Sequence, residues 1–170
     1  EAEGYDGFTG EGFGTRMKTA GFTDAMGWPM FEVMAFMNNE EKSVDEWMAT
    51  LYHRIPFTVP LAQSMGYGAA AKANTTKCDT IDFAGGEGKA FYDDLIIPFP
   101  VNGMQGVPVS WHGYESPQPP LPAGEGYPSG PIITLTLGGQ NAWPGVALVD
   151  SSIVDSTGKM IPHVANDPQT

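Results

Sequence analysis

Cysteine is almost missing from this chain of 170 residues, where Cys78 stands alone. That excludes an internal disulfide and any zinc motif built on several cysteines. Positive charge is also scarce: eight lysines and arginines face twenty aspartates and glutamates, a formal net charge of -12. Such a balance repels phosphate backbones and anionic membrane surfaces, so nucleic-acid binding is not expected. No uninterrupted apolar run approaches the roughly 20 residues that span a bilayer, and no transmembrane segment is expected. The opening "EAEGYDGFTG" has neither a basic region nor an apolar stretch and does not read as a signal peptide, so a secreted form would have lost its signal. Also missing are a Gly-x-Ser-x-Gly elbow, a dinucleotide fingerprint and a phosphate loop, since "GGEGK" lacks the spacing and the hydroxyl residue of the last.

What the chain does have in quantity is turn-forming residues, 22 glycines and 15 prolines. With so little lysine, this fits a secreted or surface protein, and fits a loop-rich cytosolic domain as well. The length suits one core, or one domain with a smaller appendage.

Residues 1–14 are glycine-rich and read as irregular, anchored by Tyr5, Phe8 and Phe13. "TRMKTAGF" predicts a short helix stopped by Gly21. "WPMFEVMAFMNN", apolar on nearly every side, predicts a mostly buried helix beginning near Pro29. Ser43 followed by Glu46 is a capping box, and Val44, Trp47, Met48 and Leu51 recur at helical spacing, so a helix is expected over 44–52 with those four residues facing the core. Beyond Pro60 the pattern changes. "GYGAAAK", "DTIDFA" and "KAFYDDLIIPFP" read as strands. Residues 98–131 are dense in proline and glycine and read as a linker or extended crossover. "PIITLTLGG" and "GVALVDSSIVDSTGKMIPHV" then read as sandwich strands, with turns at Gly138-Gly139 and Thr157-Gly158. Helices followed by strands make an α+β class.

The order of "FTG", a helix ending in Ala-Gly-aromatic, a glutamate within "FEVMAF", the "SVDEWM" helix, "YHR", a proline and "GYG" resembles bacterial members of the CAP superfamily, secreted relatives of cysteine-rich secretory proteins, antigen 5 and pathogenesis-related proteins. "GVPVSWHGYESPQPPLP" and "GYPSGPIITLTL" resemble the segment joining such a domain to a β-rich appendage. The resemblance implies a CAP-like α-β-α sandwich over residues 1–114, lacking the family's first helix, a linker over 115–130, and a partial β-sandwich-like extension over 131–170 that ends before its closing strands. It implies an extracellular or cell-surface location.

The resemblance also implies a cleft. His53 in "YHR" and Glu32 in "FEVMAF" match two of the family's two histidines and two glutamates, and Arg54 stands beside His53. The second glutamate falls at Thr50, and the upstream histidine has no counterpart. Zinc is the metal such a cleft takes, with His53 and Glu32 as its candidate ligands, whereas the residues by themselves call for no cofactor. The plainer reading has His53 close the helix and share a hydrogen bond or one bridging water with Glu32, while Arg54 pairs with Glu46 or Glu32 and Pro56 and Pro60 hold an extended connection. His112 and His163 read as surface histidines. Asp93 and Asp94, with Glu87 near, lack the spacing of a calcium loop. Asn74 heads an N-glycosylation pattern.

No activated nucleophile accompanies these residues. The expected function is an extracellular CAP-like binding or scaffold module without catalytic machinery, as a subunit of a surface assembly or filament in one version, with a protein partner or self-association through the C-terminal strands. The alternative is a zinc-dependent hydrolase completed by residues outside the chain. The alternation of Ile133, Leu135 and Leu137 with Ile132, Thr134 and Thr136 predicts a strand with one greasy face, which needs a cover.

Overall fold

The computed structural model describes residues 9–22, 27–60, 62–71, 75–85, 95–138 and 148–165. Tyr5, Phe8, Asn74, Glu87, Asp93, Asp94 and Gly139 lie outside them. The described elements run α1 (Phe13–Thr19), β1 (Gly27–Ala35), α2 (Glu40–Ala49), α3 (Ile55–Thr58), β2 (Ala62–Ala70), β3 (Cys78–Gly85), β4 (Leu95–Phe99) and β5 (Thr134–Gly138). The α+β class stands. The chain forms two compact units, residues 1–48 with 52–92 and residues 49–51 with 93–170.

In the first unit, β1, β3 and β2 form an antiparallel sheet with β3 in the middle. The helix expected over "WPMFEVMAFMNN" is instead β1. A short apolar run is compatible with either structure, and here tertiary pairing decides. Phe31, Val33 and Ala35 face the core while Glu32 and Met34 alternate to the other side, as strand geometry requires. Among the described residues β1 is an edge strand, and its ladder is irregular between Gly27 and Met30, the stretch that contains Pro29. An edge is where a sheet tolerates a residue without an N–H.

α1 ends as its sequence predicts. Gly21 takes a φ of 93°, the Phe22 N–H donates to the Met17 carbonyl and the Gly21 N–H to that of Lys18, which is the glycine-terminated helix stop. α2 begins earlier than the capping box suggests. The Lys42 N–H donates to Asn39 Oδ1 at 3.1 Å, so Asn39 caps the helix and Ser43 lies within it. The buried face rotates accordingly: Ser43 and Trp47, four residues apart, are buried, whereas Val44 is 40% exposed. Trp47 packs with Val33, Ile81 and Phe83. Phe57 of α3 joins them, stacked on Trp47 at 6.1 Å and edge-on to Phe83 at 5.0 Å. The prolines after His53 do not make a plainly extended connection, because Pro56 sits in the first turn of α3, where its fixed φ suits a helix start.

In the second unit, β4 and β5 pair antiparallel, Ile96 opposite Leu137 and Pro98 opposite Leu135. Residues 111–130 fold back on themselves: Trp111 and Ser129 exchange main-chain hydrogen bonds of 2.9 and 2.8 Å, Trp111 meets Tyr127 edge-on at 5.4 Å, and the Tyr127 hydroxyl donates to the Pro119 carbonyl at 2.6 Å. Val154 and Met160 bridge across a turn at Asp155–Gly158, where Asp155 Oδ1 accepts the N–H groups of Thr157 and Lys159.

Candidate functional site

Strand alternation sorts the polar residues of the first unit onto two faces of one sheet. On the side covered by α2 and α3, Asp79 is fully buried and fully engaged. Ser43 Oγ donates to its Oδ2 at 2.6 Å, the Tyr67 hydroxyl to its Oδ1 at 2.7 Å, and Lys77 Nζ stands 3.5 Å from Oδ1. Lys77 also bonds Glu40. The hydrogen bonds from Ser43 and then Tyr67 hold the Asp79 carboxyl below the usual range, and the bond to Lys77 does the same for Glu40. Burial, followed by the Asp79 hydrogen bond, pushes Tyr67 up. Each of these side chains is engaged by a neighbour, as in a structural polar network.

The opposite face carries the more active arrangement. Glu32 of β1 and Asp82 of β3 are direct cross-strand partners, and Arg16 of α1 reaches over to bond Glu32 Oε2. α1 buries none of its own residues, so this ion pair is a principal tie between helix and sheet. Asp82 Oδ1 is buried and accepts no hydrogen bond. Burial pushes the Asp82 carboxyl up to about 6, and the charge of Glu32 adds to the shift while Arg16 opposes it. One guanidinium thus serves two carboxyl groups, one of which stays largely protonated in mild acid. On the far side of Asp82 its register partner is Gly66, where a Cβ would meet nothing within 4 Å.

The residues expected to line one cleft come from separate elements. Glu32 turns to Arg16 and Asp82 on the α1 face. His53 lies in the turn between α2 and α3, in the helical layer that packs on the other face. Arg54, buried, donates from Nε to the Met48 carbonyl at 2.6 Å and closes the end of α2. Glu32 and His53 thus stand on different elements, the one on β1 and the other between α2 and α3. Among the described residues no group of three or more His, Cys, Asp or Glu side chains gathers in metal-binding geometry. His112 stacks on Tyr114 at 5.7 Å, and His163 Nε2 lies 2.9 Å from Ser151 Oγ.

Sequence reasoning missed Asp82 and Arg16. The signal was weak but present: "DTIDFA" puts Asp82 on the face opposite Ile81 and Phe83, and an acidic residue there in a central strand calls for a partner. Its pairing with Glu32 depends on β1 being a strand. No protein-family model matches the chain, and no curated protein and no solved structure matches it either.

Proposed function

We propose that the chain is an extracellular binding or scaffold module with a CAP-like α-β-α sandwich, acting without catalytic machinery and engaging a protein partner or a second copy through its C-terminal strands. The layer order supports the sandwich, with α1 tied to one face of the sheet by Arg16 and α2 and α3 packed on the other. The observation that carries the function is the outer face of the β4–β5 ladder. Ile96, Leu135 and Leu137 are 58, 64 and 43% exposed, as is Ile133 just before β5 at 54%, while Thr134 and Thr136 are half-buried. A two-stranded ladder that presents its greasy side outward is marginal in water and gains from a cover.

The competing reading, a zinc-dependent hydrolase, would need Glu32 and His53 on one ion. The Arg16 guanidinium already neutralises Glu32. Two measurements on the intact protein decide. Light scattering over a concentration series should show association that weakens in a Leu135→Thr, Leu137→Thr variant, or a partner captured by the wild type and not by the variant should be identified. A wild type that stays monomeric and binds no apolar dye at this face overturns the proposal. Zinc titration should give no stoichiometric tight binding, and tight binding lost in His53→Ala would favour the hydrolase.

A further inference from the structure

The outer strand of the three-stranded sheet lacks the devices that usually protect a sheet edge. β2 pairs with β3 on one side, and among the described residues no strand pairs with its other side. Its stretch "SMGYGAA", residues 64–70, has neither a charge nor a proline, and residues 65–70 are exposed. Such an edge offers main-chain donors and acceptors, already in strand register, to any extended segment.

The glycines give this edge a direction. Gly66 and Gly68 are register partners of Asp82 and Thr80, and a Cβ at either would meet nothing within 4 Å. From the edge, a lane without side chains therefore crosses β2 to Asp82 and, one strand further, to Glu32. The lane ends in an unbalanced charge. Arg16 bonds Glu32, and Asp82 keeps a buried oxygen with no hydrogen-bond partner while the residue as a whole stays partly open to solvent.

We infer that β2 is a strand-addition site for an extended basic segment of another protein, read by a lysine or arginine whose side chain lies over Gly66 and ends at the Asp82–Glu32 pair. The main chain of the added strand supplies affinity, and the alternate side chain that meets the lane supplies selectivity. Two inter-strand spacings, about 9.5 Å, separate such a strand from β3, a span that suits the long stems of lysine and arginine and is too far for a short side chain. The net charge of -12 favours a basic partner over a second acidic copy. Burial, and after it the charge of Glu32, keeps the Asp82 carboxyl up at about 6, and an arriving cation favours its ionised form, so binding tightens as pH rises from about 5 to 7.

The test uses capped nine-residue peptides of alternating threonine and valine with a central lysine, and matched peptides with central glutamate or with alternate amides N-methylated. On the full chain, the lysine peptide should slow amide exchange over residues 64–70 and bind at least tenfold tighter than the glutamate peptide, with the N-methylated form inactive. Asp82→Asn and Gly66→Val should each reduce the lysine preference. Should Gly66→Val fail to fold, the peptide comparison on the wild type with Asp82→Asn still decides. Equal binding of the lysine and glutamate peptides, unchanged exchange over residues 64–70, or full binding of the N-methylated peptide would overturn the inference. So would protection of residues 64–70 that rises with protein concentration in the absence of peptide, which would assign the edge to a second copy.

Discussion

Ser43 Oγ donates a 2.6 Å hydrogen bond to Asp79 Oδ2, and both residues are 0% exposed. One lies inside α2 and the other on the central strand, 36 residues apart in sequence. A charged acceptor without water depends on every donor it has. Ser43→Ala should lower the thermal midpoint clearly, and Ser43→Thr less if its hydroxyl keeps the bond. Because the folded Asp79 carboxyl is held below its ordinary range, its stabilisation is present above that range and lost as pH falls through the folded value. In Ser43→Ala that acid loss should be smaller and complete at higher pH, as urea midpoints between pH 2 and 5 would show.

Trp47 should dominate the helix–sheet contact. Trp47→Ala should cost about 3–5 kcal/mol in equilibrium unfolding. Val44→Ala, on the exposed side of the same helix, should stay within about 0.5 kcal/mol. Similar losses at both positions would mean that α2 buries a different face.

Asp82 should act on stability with the opposite sign to Asp79. Its folded value of about 6 lies above the ordinary 3.8, so its contribution is fully present below about pH 4 and lost as pH rises to about 6. Asp82→Asn should flatten that part of the profile and leave the protein no less stable at pH 7. Arg16→Gln, which removes the group that lowers the Asp82 value, should extend the same segment to higher pH. Chemical denaturation from pH 3.5 to 7.5 reads both.

Gly113 should resist substitution while Gly126 accepts it. Gly113 has a φ of 77°, and a Cβ there would come within 2.7 Å of the Tyr127 ring. Gly113→Ala should cost about 1–3 kcal/mol and perturb the near-ultraviolet signal of Trp111 and Tyr127. Gly126 takes no such φ and faces open space, so Gly126→Ala should be close to neutral.

How far the site was legible follows from the range of the interactions involved. The end of α1 could be read because Gly21, Lys18 and Met17 settle it within one turn of chain. The strands at Cys78–Gly85 and Thr134–Gly138 could be read because alternation is a local pattern. The start of α2 was misread because Asn39 and Ser43 both qualify as caps, and the buried carboxylate that claims the Ser43 hydroxyl lies on another element.

The sequence by itself determined the α+β class, the acidic charge balance and the exclusion of an internal disulfide and of membrane-spanning apolar runs, since these depend on composition and on neighbours a few residues apart. Tertiary structure alone decided that "WPMFEVMA" would be a strand, because its apolar run gains the ladder with β3 only when β3 is present. It decided, too, that Glu32 would face Asp82 and Arg16. A carboxylate separated from its partners by 16 residues on one side and 50 on the other carries no local sign of which will reach it, and the register of an antiparallel pair, which turns each side chain to one face or the other, supplies that choice.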